Sequence, residues 1–131
     1  MPQHDVGLIL MRQLASGLAV PMLLTDDNGD LLFFNEAAEQ LLGQRFDDVG
    51  ELRLEERSQI FAFRDEKGTP VPLDQAPLVV ALRERRPVHR RVWMKGLDAK
   101  DHEIEVTAFP LLGGGGHLIG AVAMFWARKS A

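Results

Sequence analysis

The segment at residues 117–127 constrains the fold most, because it is apolar at both odd and even positions. A strand with one face in water alternates between apolar and polar residues, so this strand must be covered on both faces. Residues 88–95 and 103–112 also have strand length, and a turn containing glycine follows each of them. Together the three segments predict an antiparallel sheet with 117–127 in a central position.

The N-terminal residues 5–18 predict a helix. Met11, Leu14 and Leu18 recur at spacings of three and four, and Pro21 cannot continue the helix. This apolar stripe is too short for a coiled coil. Two interpretations remain open, a helix lying on its own domain and a helix shared across a dimer.

A hairpin and a short helix follow. Residues 20–25 and 31–34 are apolar runs that flank a turn rich in Asp, Asn and Gly, which predicts two paired strands. Asn35 is a good N-cap residue for a helix at 36–42, and Gly43 suits its C-terminal end.

The next part of the chain contains the clearest helix, at residues 75–86. Asp74 is placed to cap it, and Pro77 falls in its first turn, where a missing N–H costs little. Residues 44–58 are polar and weakly patterned, and their structure is not predicted. The order of elements predicts an α+β fold with a five-stranded antiparallel sheet. The 131 residues of the chain suit one domain, with an N-terminal helix at 1–18 and a core at 19–128.

The composition excludes several classes of protein. The chain has no cysteine, which excludes a disulfide scaffold, a thiolate metal site and a cysteine-linked photoadduct. Its net charge of −4 argues against a dedicated nucleic-acid binder. No apolar run reaches the roughly 18 residues that a membrane span needs. We therefore expect a cytoplasmic domain without nucleic-acid or membrane partners.

Three segments, at residues 21–43, 65–88 and 104–126, have an order and spacing that resemble the PAS domain of bacterial sensor proteins. Residues 21–43, PMLLTDDNGDLLFFNEAAEQLLG, resemble the first hairpin and short helix of that family, with Asn35-Glu36-Ala37 as the Asn-x-Ala start. Residues 65–88, DEKGTPVPLDQAPLVVALRERRPV, resemble the lead into its long helix. Residues 104–126 resemble its last two strands, where Pro110 ends one strand and Gly120-Ala121-Val122 opens the other.

The resemblance implies a sheet of order 2-1-5-4-3 with helices on one face. Family members bind a metabolite, haem or flavin between that face and the helices, or fill the space with side chains. Many pair through an N-terminal helix and signal to an effector or kinase.

Two features depart from the family pattern. The usual Asp-x-Thr after the last strand is replaced by Trp126-Ala127-Arg128-Lys129, and the chain stops at Ala131. We therefore expect either an excised sensor module or a protein that acts alone by binding a partner. Arg85-Arg86 stands where a glycine is frequent after the long helix.

No cofactor or metal is expected from the residues. An axial histidine for haem would lie on the long helix, but the histidines are elsewhere, at positions 4, 89, 102 and 117. Flavin adduct chemistry needs a cysteine, and no residues suggest a noncovalent flavin site. Paired carboxylates such as Asp26-Asp27 lie in polar turns, so they do not indicate acid–base catalysis. We expect no enzymatic activity, and an unidentified small molecule stays open as a ligand.

Apolar walls are expected for any cavity in this fold, and they would suit a fatty or aromatic ligand. Arg90 interrupts an otherwise apolar strand face and is a candidate partner for a ligand carboxylate, the alternative being a solvated strand face. The candidate pocket residues are Phe34, Leu42, Phe61, Phe63, Leu78, Leu82, Arg90, Val92, Met94, Val106 and Ala108.

These observations lead to one functional hypothesis and one alternative. The hypothesis is a non-enzymatic sensory module that binds a small, largely apolar ligand, forms homodimers, or does both, and so regulates a partner or effector. The alternative is a pure dimerisation or interaction module whose core is filled by side chains. Candidate interface residues on the N-terminal helix are Met11, Leu14 and Leu18.

Overall fold

The computed structural model describes residues 6–56, 62–95 and 100–127. In these stretches a sheet lies between helix α1 on its outer face and further helices on its inner face. The helices are α1 (Val6–Ser16), α2 (Glu36–Leu42), α3 (Phe46–Val49) and α4 (Pro77–Glu84). The strands are β1 (Met22–Asp26), β2 (Leu31–Phe34), β3 (Phe63–Arg64), β4 (Val88–Lys95), β5 (Asp101–Leu112) and β6 (Leu118–Ala127).

The sheet is antiparallel, with the strand order β2-β1-β6-β5-β4-β3. The predicted order 2-1-5-4-3 is confirmed for the five longer strands. The described residues add a sixth strand at the edge, β3, in which Phe63 and Arg64 pair with Met94 and Trp93. A strand of two residues has no detectable alternation, which is why the sequence predicted only five.

The central position of β6 is confirmed. It pairs with β1 on one side and with β5 on the other. Its neighbouring residues Val122 and Ala123 point to opposite faces, and both are buried. Val122 belongs to the cluster under α1, and Ala123 belongs to the cluster under the other helices. Both faces of the strand are therefore covered, as the apolar run requires.

The local signals placed α2 correctly. Asn35 has extended backbone dihedrals and its side chain accepts the N–H of Ala38, which is the expected N-cap geometry. Gly43 ends the helix in the left-handed conformation, with φ of 84°.

The predicted helix at 75–86 begins later and ends earlier than expected. A 3₁₀ turn at Leu73–Gln75 comes first, and Ala76 is the N-cap residue, without a side-chain hydrogen bond. The predicted cap by Asp74 is therefore wrong, because that turn holds Asp74 ahead of the cap position. Pro77 is the first helical residue, as predicted. Arg85 ends the helix in the left-handed conformation, with φ of 54°, at the place where the family pattern has a glycine.

Candidate functional site

A narrow apolar gap separates the inner face of the sheet from α4. This is the place at which the sequence analysis expects a ligand cavity. Its volume is about 10 Å³, which is at the lower limit for a single water molecule. The described residues therefore leave no room for a metabolite in this conformation. The gap is lined by Leu23, Phe63, Pro77, Leu78, Met94, Ile104, Val106, Ala123 and Phe125.

Only part of the predicted pocket lines this gap. The residues that do are Phe63, Leu78, Met94 and Val106. Other predicted residues are buried in the surrounding inner cluster or pack against it, namely Phe34, Leu42, Leu82, Val92 and Ala108. Phe61 lies outside the described residues.

Several lining residues were not predicted, and among them Ile104 had a local signal in the sequence. Ile104 alternates with Val106 on the inner face of β5, so it shares the predicted environment. Ala123 and Phe125 occupy the inner-face positions of β6 by the same alternation. Their segment is apolar at every position, so the sequence alone could not assign which residues face the helices.

Arg90 lies apart from the apolar gap. Its guanidinium Nη1 donates a hydrogen bond to the carbonyl oxygen of Gln75, at 3.3 Å. It lines an open surface groove beside the turn after β3, together with Asp65, Glu66, Lys67, His89, Arg91 and Glu105. Arg90 pairs with the predicted pocket residue Val106 across β4 and β5, but it lines this groove and not the apolar gap.

A polar cluster that shares His89 and Glu105 with this groove lies on the outer face of β4, β5 and β6. The Nδ1 atom of His89 lies 2.8 Å from Oγ1 of Thr107, and the indole Nε1 of Trp126 donates to Glu105 at 3.1 Å. In the described part of the chain, no group of three or more His, Asp or Glu residues could hold a metal ion.

Asn35 makes a hydrogen-bond network that its N-cap role alone did not predict. The side chain is fully buried. Its Oδ1 accepts the N–H groups of Met22 and Ala38, each at 3.0 Å. Its Nδ2 donates to the carbonyl oxygens of Ala15 at 3.0 Å and of Val20 at 2.8 Å. One side chain thereby connects the end of α1, the start of β1 and the start of α2.

The turn of the first hairpin is fixed by Asp26. Its Oδ1 accepts the N–H groups of Asn28 at 2.9 Å and of Asp30 at 3.0 Å. Partial burial raises the pKa of Asp26, while those two hydrogen bonds oppose the rise. The carboxylate of Asp30 in turn accepts the N–H of Leu54 at 2.8 Å, which attaches the following segment to the hairpin.

Helix α1 lies on the outer face of its own sheet, and it has two apolar stripes. Leu8 and Ala15 are buried against the sheet, and Met11 packs beside them. Leu10 and Leu14 point away and are 59% and 56% exposed. Of the predicted interface residues, Met11 therefore packs within the domain, whereas Leu14 and Leu18 are exposed to solvent.

Comparisons with known proteins agree with this architecture. The family described as the PAS fold matches residues 9–126. The PAS domain of BvgS from Bordetella pertussis has a TM-score of 0.64 and 18% identity, covering 95% of this chain and 87% of that one. The PAS domain of nitrogen regulation protein NR(II) from Vibrio parahaemolyticus has a TM-score of 0.65 and 18% identity, covering 91% and 98%.

A light-oxygen-voltage (LOV) protein from Rhodobacter sphaeroides is also similar. Its TM-score is 0.74 at 12% identity, with 95% of this chain and 69% of that chain covered. At such identities these structures establish similarity of fold alone. The comparison with curated proteins gave no match. Among the described residues, no helix is both long and apolar enough to cross a membrane.

Proposed function

This chain belongs to the PAS family, and we propose that it is a non-catalytic sensory module that regulates a partner or effector through self-association of α1. The observation that carries the proposal is the uncovered apolar stripe of α1. Val6, Leu10 and Leu14 recur every four residues along this helix, and all three are exposed. Leu18, just beyond the helix end, extends the same exposed surface.

The packing of α1 supports this use of the stripe. The opposite side of the helix is already occupied, because Leu8 and Ala15 are buried on the sheet. An apolar stripe on a helix that is already anchored favours contact with another protein surface, because burial removes the stripe from water. In this proposal Met11 holds α1 on the sheet, and Leu10, Leu14 and Leu18 meet the second copy.

The inner gap supports protein contact ahead of ligand binding. A gap of about 10 Å³ is far below the roughly 300 Å³ at which small-molecule pockets begin. A ligand at that place would require α4 to move away from the sheet. We therefore favour a module with a filled core.

Sedimentation velocity on the full chain tests the proposal. We expect the wild-type protein to sediment as a dimer and the Leu10→Glu/Leu14→Glu variant to sediment as a monomer. Two carboxylates in an apolar interface carry a desolvation cost that no partner offsets. Leu112→Glu is the matched control, because Leu112 is also half exposed but lies at the end of β5. A monomeric wild-type protein, or a double variant that stays dimeric, would reject α1 as the interface.

A further inference from the structure

One edge of β4 is only partly covered by a neighbouring strand. β4 pairs with β5 along its whole length, from Val88 to Lys95, but β3 pairs with it only at Trp93 and Met94. In the described part of the chain, residues 88–92 therefore have a neighbouring strand on one side alone. We propose that this open edge of β4 binds an extended, acidic segment of a partner protein as an additional strand.

The turn after β3 leads the chain away from the open edge. Oδ1 of Asp65 accepts the N–H groups of Lys67 and Thr69, each at 2.9 Å. Gly68 adopts the left-handed conformation, with φ of 81°, which a glycine allows without strain. The turn is thus held in place, and a groove of about 580 Å³ lies between it and β4.

The groove runs along the backbone of β4. Three consecutive residues of this strand line it, His89, Arg90 and Arg91. Successive side chains of a strand point to opposite faces of the sheet. Three residues in a row can therefore border the same groove only where that groove follows the edge of the strand.

The hydrogen-bond pattern identifies the backbone groups of β4 that face the groove. The carbonyl oxygen of Phe63 accepts a hydrogen bond from the chain after the turn, at 2.9 Å, so its backbone groups point away from β4. Since direction alternates along a strand, Arg64 points towards β4, where it pairs with Trp93. The same alternation along β4 directs the N–H and C=O groups of His89 and Arg91 into the groove.

These backbone groups are available to an added strand. Described residues outside the sheet form no backbone hydrogen bond with His89 or Arg91. An extended segment that lies along an open sheet edge pairs with such groups through its own main chain, and its side chains determine the specificity.

The side chains of the open edge favour an acidic segment. Arg90 and Arg91 are neighbours in β4, so they point to opposite faces of the sheet. Within the described residues, neither arginine forms an ion pair. Opposite charges on directly paired residues of adjacent strands stabilise a sheet. Two adjacent carboxylates in the added strand would meet one arginine on each face.

The carboxylates that line the groove leave this preference in place. Asp65 is used by its own turn, and Glu105 accepts the indole N–H of Trp126 at 3.1 Å. Glu66 lies on the turn next to Lys67, whose positive charge offsets it.

A second copy of this chain fits the open edge less well. Antiparallel pairing of two such edges centred on Arg90 would place Arg90 opposite Arg90 and His89 opposite Arg91. Like charges directly opposite each other are destabilising, and charged edge strands resist pairing with their own kind. The open edge is separated from β1 by β5 and β6, so the proposal does not depend on self-association through α1.

Titration of the full chain with a blocked hexapeptide tests the proposal. The probe is acetyl-Thr-Val-Glu-Glu-Val-Thr-amide, which has high strand propensity and two adjacent carboxylates. We expect saturable amide NMR shifts along β4 and slower hydrogen exchange at His89 and Arg91. The amide of Arg90, which faces β5, should change little. The Leu10→Glu/Leu14→Glu variant should give the same result, so a failure of self-association does not affect the test.

Two control peptides separate the charge from the backbone pairing. Lysine in place of both glutamates should weaken binding about tenfold. N-methylation of both valines removes one N–H facing β4 in whichever register the peptide binds, because the two valines point to opposite edges of the segment. We expect this change to weaken binding about tenfold as well.

Substitutions in the protein test the charge from the other side. Arg90→Gln/Arg91→Gln should weaken the acidic peptide about tenfold. The matched control Arg45→Gln/Arg53→Gln removes two exposed arginines away from β4 and should leave binding unchanged. The proposal is overturned if the acidic peptide gives no saturable shift, or if exchange at His89 and Arg91 is the same with and without it. Equal binding by Arg90→Gln/Arg91→Gln and wild type, or of the N-methylated and unmodified peptides, also overturns it.

Discussion

At the residue scale, Asn35 joins three parts of the fold that are distant in sequence. Its amide is fully buried, and both ends are used, the oxygen by two N–H groups and the nitrogen by carbonyl groups of the α1–β1 connection. A buried amide that loses a partner leaves that partner unsatisfied, which costs about 1–3 kcal/mol for each group. Asn35 therefore holds the first turn of α2 and the end of α1 together through its hydrogen bonds.

The substitution Asn35→Asp tests this link. An aspartate keeps the oxygen that receives Met22 and Ala38, but it replaces the amide donor with an acceptor facing the carbonyls of Ala15 and Val20. We expect a loss of about 3 kcal/mol in the free energy of unfolding. Hydrogen exchange should become faster across α1, while the amide of Ala38 stays protected.

Asn28→Asp is the control for a simple change of amide to acid, because Asn28 is exposed in the hairpin turn. It should leave both the exchange of α1 and the stability unchanged. Equal exchange of α1 in the Asn35→Asp variant and the wild-type protein would show that Asn35 does not hold the helix.

At the element scale, the sequence was informative wherever a signal is local. The N-cap Asn35 and the terminal Gly43 define α2, and alternation defines most of β5. The errors arose where contacts with neighbouring segments determine the local structure. Asp74, for example, lies in a 3₁₀ turn ahead of α4, so it does not occupy the N-cap position. The stripe of α1 that contacts the sheet, which contains Leu8, could not be predicted either. It depends on a notch in β6, a position without a side chain, which can be recognised only in the packed structure.

That notch is Gly120, and it allows α1 to sit directly on the strand. A Cβ atom at this position would overlap the carbonyl oxygen of Thr25 in β1 and lie 2.9 Å from Cδ2 of Leu8. We expect Gly120→Ala to lower the free energy of unfolding by about 3 kcal/mol, since backbone cannot yield as a side chain does. Chemical denaturation measures this change.

Gly114→Ala is the matched control for Gly120→Ala. Its Cβ would meet no atom within 4 Å, and its backbone is not in the left-handed region. Its stability should stay within about 0.5 kcal/mol of wild type. If Gly120→Ala were as stable as the wild-type protein, α1 and β1 would be able to move away from position 120 without a loss of stability.

At the scale of the whole molecule, the order of elements predicted an α+β fold with an antiparallel sheet, and the resemblance to PAS domains implied a cavity between that sheet and its helices, but neither determined the volume. With helices over one sheet face, the wall residues Leu78, Met94 and Val106 could be predicted from periodicity. The volume depends on how all the side chains of α4 and the sheet fit together. Phe125 and Ile104 occupy the space that a ligand would need. No local sequence pattern indicates the volume that remains between packed side chains.

If side chains fill the inner gap, removing one of them should create a cavity that accepts a small apolar molecule. Leu78→Ala removes a buried side chain of α4 beside the gap, so we expect a loss of about 2–5 kcal/mol in the free energy of unfolding. Benzene should then raise the melting temperature of the variant, because it binds the folded state alone. Leu73→Ala, at an exposed position just before α4, should show neither effect. If benzene gives saturable amide shifts at Phe63 and Leu78 in the wild-type protein itself, the gap already opens in solution. Ligand sensing in the core would then replace self-association as the favoured function.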